Sequence, residues 1–89
     1  MQELELPEIE LEELLNEPNS LVVFNDDVNS FDHVISTLIK VCKHSNEQAE
    51  QCTFLIHYKG KCAVKVGERD FLKPMAQAIC EVGIDARIQ

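Results

Sequence analysis

The segment LVVFNDDVNSFDHVISTLIKVC, residues 21–42, changes its periodicity half-way along. Leu21 to Phe24 form a short unbroken apolar run bounded by polar residues, the pattern of a buried strand. From Phe31 onward apolar side chains return at steps of three and four, through Val34, Ile35, Leu38, Val41 and Cys42. That spacing predicts an amphipathic helix, with Asn29 or Ser30 as its cap and Asp32 placed favourably at its positive end. Between strand and helix stand Asn25, Asp26 and Asp27. Two carboxylates and a carboxamide at the mouth of a strand admit four readings: a turn, a metal site, a catalytic pair or a socket for a cation.

Further elements follow the same logic downstream. SNEQ, residues 45–48, has the form of a capping box and opens a second helix, with Ala49, Cys52, Leu55 and Ile56 facing inward. Gly60 ends it. CAVKVG, residues 62–67, alternates as a strand does, which puts Lys61 and Lys65 on the wet face. A third helix is expected from about Asp70 to Val82, with Pro74 in its first turn, where backbone N–H groups lack intrahelical partners anyway. Gly83 supplies a left-handed stop, and residues 84–89 close as a strand. The order β-α-α-β-α-β makes an α/β (α+β) two-layer sandwich, three helices packed on one side of a small three-stranded sheet.

Eighty-nine residues hold one domain with one small core. The net charge is -8, but seven glutamates precede Ser20, where there is no Lys or Arg, and residues 20–89 carry nine acids against eight bases. Residues 1–19 therefore read as a flexible acidic N-terminal arm, and residues 20–89 as the folded domain. With no basic stripe, nucleic acid is not an expected partner. No apolar stretch approaches the length of a membrane span, and the N-terminus lacks a basic leader, so a cytoplasmic monomer without membrane contact is expected. Cys42, Cys52, Cys62 and Cys80 have no metal-ligand spacing and sit among apolar neighbours, as core thiols do.

Chemistry narrows the readings of the polar cluster. A calcium loop counted from Asp27 puts Phe31 and Leu38 at ligand positions, so it fails. His33, His44 and His57 have no paired zinc spacing, and no metal or cofactor is expected. Adjacent Asp26 and Asp27 point in different directions, which is poor geometry for an acid/base pair, and no glycine-rich phosphate loop is present. The expectation is a protein that is not an enzyme. The turn and the cation socket both remain.

Two motifs at a fixed separation carry a resemblance. LVVFNDD, then a helix, then AEQCTFLIHYKGK at residues 49–61, resembles the ClpS adaptors of Clp proteases, which carry a Leu/Val-Asn-Asp-Asp segment, an A-x-Q-x-M segment and V-H-x-x-G-K. The resemblance covers about residues 20–89 and implies the fold that ClpS shares with the ribosomal-stalk C-terminal domain. It implies an adaptor that binds proteins with free N-terminal Leu, Phe, Tyr or Trp and delivers them to a Clp AAA+ unfoldase, docking on the unfoldase's N-terminal domain. Asn25, Asp26 and His57 would then hold the α-amino group, whose three donors suit a carboxamide oxygen, a carboxylate and an imidazole nitrogen. Phe31, Val34, Thr53 and Ile56 would form the hydrophobic pocket, and Asp70 would contribute to unfoldase docking. The chain departs from the family pattern at Asn29 (often Thr), Ser30 (often Pro), Phe31 (usually Met or Leu), Thr53 (usually Met) and Met75 (a docking Lys). The alternative is a ribosomal-stalk-like interaction domain without amine binding, since fold does not fix function.

Overall fold

The computed structural model describes residues 19–89, so the expected acidic arm lies outside the described residues except for Asn19. Asn19 itself opens β1 (Asn19–Phe24), two residues before the apolar run. There follow α1 (Phe31–Cys42), α2 (Asn46–Lys59), β2 (Lys61–Gly67), α3 (Arg69–Glu81) and β3 (Asp85–Ile88). The sheet order is β2-β1-β3, with β1 antiparallel to both neighbours. Leu21 and Val23 project from one face of β1 and are completely buried with Val34 and Leu38 of α1, Ala49 and Ile56 of α2, and Leu72 and Ile79 of α3. On the other face Phe24 carries the Arg87 guanidinium 4.9 Å from its ring centroid and the Lys61 ammonium at 5.9 Å. This is the expected two-layer sandwich, with its helices on one side of the sheet.

Serines start the first two helices. Ser30 Oγ accepts from the His33 N–H at 3.1 Å, and Ser45 Oγ accepts from the Gln48 N–H at 3.1 Å, each satisfying a backbone donor that the helix cannot. α2 ends at Gly60, whose φ of 93° is left-handed and unstrained only for glycine. The inner face of α2 differs from expectation: Ala49, Thr53 and Ile56 are buried, Cys52 is half-buried, and Leu55 faces water at 42% exposure. The buried three lie four and three residues apart, a narrower seam than the apolar pattern suggested.

Three other expectations need correction. α3 begins at Arg69, so Pro74 is beyond the first turn, and its missing N–H deprives the Asp70 carbonyl of the usual partner. Cys80 is exposed and donates its thiol to the Ala86 carbonyl at 3.3 Å, while Cys52 and Cys62 are half-buried; only Cys42 is a fully buried thiol. Burial, with Cys62 beside it, pushes the Cys52 thiol up to about 11.

Lys65 is the third. The pairing of β1 with β2 steps from Leu21↔Lys65 to Val22↔Ala63, leaving Val64 without a partner: a β-bulge. The extra residue turns Lys65 toward the helices, where its Nζ donates to the carbonyl of Cys42, the last residue of α1, at 3.1 Å. A cation at the carbonyl end of a helix is well placed. Beside the bulge, buried His44 donates through Nε2 to the Val64 carbonyl at 2.8 Å. His44→Leu keeps the bulk but removes that donor, so it is expected to destabilise the fold by about 1–3 kcal/mol. Urea denaturation of the two proteins measures this; equal midpoints would mean that the carbonyl finds water instead.

Candidate functional site

The loop of residues 25–30 joins the exit of β1 to the start of α1, and its position follows from three anchors. The Asn25 N–H donates to the Gly60 carbonyl at 2.9 Å, which ties the loop to the end of α2. Asp26 Oδ1 accepts from the backbone N–H groups of Val28, at 2.9 Å, and Asn29, at 2.8 Å, an Asx turn. Asp26 Oδ2 accepts from Asn29 Nδ2 at 2.7 Å, and the same Nδ2 donates to the Gly83 carbonyl at 2.8 Å. The Asn29 N–H, the Val28 N–H and the Asn29 carboxamide, in that order, hold the Asp26 carboxyl below its ordinary pKa, with a smaller contribution from His33.

Asn25 and Asp27, by contrast, are exposed, and among the described residues neither side chain makes a hydrogen bond within the protein. The turn reading of the cluster is thus realised by Asp26 and Asn29. The groups left facing solvent are the Asn25 carboxamide and the Asp27 carboxylate. The sequence offered Asn29 as a helix cap, a task that Ser30 performs, and the three-residue spacing of Asp26 and Asn29 was the signal for their pairing.

His57 lies in the last turn of α2, one turn before Gly60, and so on the same side as the anchored loop. Its ring meets Phe31 edge-on, with centroids 5.4 Å apart and planes at 75°. Tyr58 stands at 5.8 Å from the same imidazole. Phe31 is 42% exposed, whereas Val34, Thr53 and Ile56 are buried. The Thr53 hydroxyl donates to the Ala49 carbonyl at 2.7 Å, so its donor is satisfied inside the helix. The structure therefore brings Phe31 and His57 together across α1 and α2. The Asp26 carboxylate makes its contacts within its own loop and not with His57.

Asp70 is exposed in the first turn of α3, favourably placed at the helix's positive end. Met75 is partly buried against the core. Two surface depressions lie elsewhere, one bounded by Glu50, Gln51, Phe54 and Leu55, the other by His33, Ser36, Thr37, Lys40, Val41 and Val82. Among the described residues no group of three or more His, Cys, Asp or Glu could hold a metal ion, and no helix is long and apolar enough to cross a membrane.

Residues 16–85 match the family model described as the ATP-dependent Clp protease adaptor protein ClpS. The chain belongs to the ClpS family. It is 30% identical over 69 residues to the ATP-dependent Clp protease adapter protein ClpS of Thermosynechococcus vestitus, a match covering 75% of this chain and 73% of the relative. Its fold is like that of Agrobacterium tumefaciens ClpS2, solved bound to L-phenylalaninamide, at a TM-score of 0.70 and 22% identity, over 80% of this chain and 93% of that one. Within this ClpS chain the NDD segment and HYKGK meet at the Asn25–Gly60 hydrogen bond.

The lowered Asp26 carboxyl makes the loop sensitive to acid. A group with a depressed folded pKa adds stability above its unfolded pKa and loses it as pH falls through the folded one. The wild-type unfolding free energy is therefore expected to fall below about pH 4, and more steeply than that of Asp26→Asn. Parallel denaturation curves taken down to pH 2 test this; identical slopes would remove Asp26 from the acid response.

Proposed function

We propose that this ClpS chain captures proteins through a free hydrophobic N-terminal residue, Leu, Phe, Tyr or Trp, and delivers them to a Clp AAA+ unfoldase for degradation. The observation that carries this reading is the Phe31–His57 contact beside a loop pinned to the same helix end by Asn25 and Gly60. On this reading an imidazole, a carboxamide and a carboxylate receive the amine, and the aromatic ring borders the side chain. The chain's likeness to a protein solved with L-phenylalaninamide supports it.

The chemistry runs as follows at the amine. An α-ammonium presents three donors, and Asn25 Oδ1, the carboxylate of Asp26 and an imidazole nitrogen of His57 each accept one. An ionised carboxylate has about four acceptor sites, and Asp26 uses three within its loop, which leaves one for the ligand. Asp27, with no side-chain bond among the described residues, is the second source of negative charge. The ligand's side chain enters between Phe31 and the layer of Val34, Thr53 and Ile56. A substrate whose amine is blocked loses the charge-assisted bonds while still displacing water, which sets the specificity.

Delivery needs a second surface. Exposed Asp70 on α3 is the docking contact that this reading assigns to the unfoldase's N-terminal domain, with Met75 leaving that contact weaker than in relatives bearing a lysine. The protein has no catalytic part in this scheme. It acts as a cytoplasmic monomer, and hydrolysis belongs to the protease.

The direct experiment is a fluorescence titration with a labelled peptide beginning with free Phe, against the same peptide acetylated at its N-terminus. The free peptide is expected to bind and the acetylated one not. His57→Ala and Asp26→Ala are each expected to weaken binding by about tenfold or more, the worth of one charge-assisted hydrogen bond, with Asp27→Ala reporting the exposed carboxylate's share. Equal binding of the two peptides would end the amine-socket reading. Absence of binding by either would favour an interaction domain that docks through the exposed Phe54 and Tyr58, whose ring centroids lie 4.4 Å apart with the planes tilted at 55°.

Thr53 offers a separate handle on side-chain preference. It is smaller than the usual methionine and its hydroxyl is already bonded, so the floor beneath Phe31 gains volume without an unpaired donor. Thr53→Met is expected to shift the ratio of Kd values for Phe- and Leu-initiated peptides. An unchanged ratio would remove Thr53 from the pocket.

A further inference from the structure

We infer that Asn29 is a positioning residue for the amine site: it locks the plane of the Asp26 carboxylate and bolts it to the turn between α3 and β3. The inference rests on the amine-capture reading for its functional consequence, but not for its geometry. Asn29 reaches Asp26 twice, through its backbone N–H to Oδ1 at 2.8 Å and through Nδ2 to Oδ2 at 2.7 Å. One bond to each oxygen fixes the rotation of the carboxylate about its last torsion, which a single bond would leave open.

The second Nδ2 hydrogen donates to the Gly83 carbonyl at 2.8 Å, across 54 residues of sequence. Both acceptors lack protons to give, so the carboxamide nitrogen, and not its oxygen, must face them. An Asx turn needs only the two bonds to Oδ1. The additional bonds from Nδ2 have no part in forming that turn; they connect it to a distant one.

Gly83 is suited to receive them. Its φ of 90° is left-handed, and this backbone conformation aims its carbonyl at the loop. A second strut stands beside the first, for His33 donates through Nε2 to the Val82 carbonyl at 3.0 Å. The loop and the first turn of α1 are thus held to residues 82–83 by two side chains, and the orientation of the amine-binding carboxylate depends on where that turn sits.

Residue chemistry at position 29 makes the requirement specific. Aspartate has the same shape but, ionised, donates nothing and repels Asp26. Threonine donates one hydrogen and cannot serve both acceptors, and alanine serves neither. The expected order of amine-binding affinity is therefore wild type above Asn29→Thr, then Asn29→Ala, then Asn29→Asp. The alanine variant is expected to lose about tenfold in affinity for the free-Phe peptide.

Two readouts taken together decide the matter. The first is the titration midpoint of the Asp26 side-chain carboxyl, followed by carbon-13 NMR without peptide in wild type and each variant. It is expected to rise in Asn29→Ala, less in Asn29→Thr, as donors to the ionised form are withdrawn. The second is Kd for free-Phe and acetylated peptides. A raised midpoint with weakened free-amine binding supports the inference. An unmoved midpoint overturns it whatever the peptides do, and a raised midpoint with unchanged Kd overturns its link to recognition. Failure of the amine reading shows itself differently, as a wild-type protein that binds both peptides alike, while the midpoint still reports whether Asn29 orients Asp26.

Discussion

β1 is hydrogen-bonded along both edges, and its two inward residues, Leu21 and Val23, have no exposed surface. Burial of two such side chains in a domain this small supplies a considerable part of the hydrophobic stabilisation, and it leaves the strand no freedom to slide, since a one-residue slip would expose both. The position of everything after Phe24 follows from that constraint. The Asn25 N–H can meet the Gly60 carbonyl only because β1 pairs in one register with β2, which itself begins one residue after Gly60. A rigid central strand therefore sets the polar loop against the end of α2, and His57 and Phe31 come together as a consequence of packing.

The elements most legible in the sequence were those in which local chemistry and tertiary packing agree. The stripe from Phe31 to Cys42, the serine caps and Gly60 each specify the same structure that the core requires, so α1, α2 and their turn stand close to where periodicity placed them. Lys65 was illegible because alternation assumes an unbroken ladder, and the unpaired Val64 reverses the faces after it. Leu55 and Cys80 misled for a related reason: apolar character says that a residue can be buried, not that its helix turns it inward. Residues 25–29 were legible as a polar turn and as a motif. Which carboxylate turns inward to its own backbone was not, because Asp26 and Asp27 are chemically identical and only the folded loop distinguishes them.

The site combines parts of unequal firmness. Asp26 and Asn29 are held by several hydrogen bonds and by a distant turn, while Asn25, Asp27 and His57 present their polar atoms to solvent. Preorganising the first pair avoids an ordering cost when a ligand arrives, and the exposed groups keep the freedom to meet it. On the amine-capture reading proposed above, such a division puts one acceptor of the ligand's invariant amine, Asp26, on the rigid part of the site. On the same reading the aromatic edge of Phe31 over His57 borders the ligand's side chain.

The bulge at Val64 has an effect beyond the placement of Lys65. Among the described residues, in the order β2-β1-β3, both outer strands have an unpaired edge, and an unpaired edge is a template on which another chain can add a strand. β3 offers only four residues, Asp85–Ile88, bearing an exposed ion pair between Asp85 and Arg87. β2 is longer, but the irregularity at Val64 bends it, and His44 already occupies the Val64 carbonyl. Among the described residues the bent strand, the occupied carbonyl and the charged tip together leave no long flat edge on which identical molecules could zip into a continuous sheet.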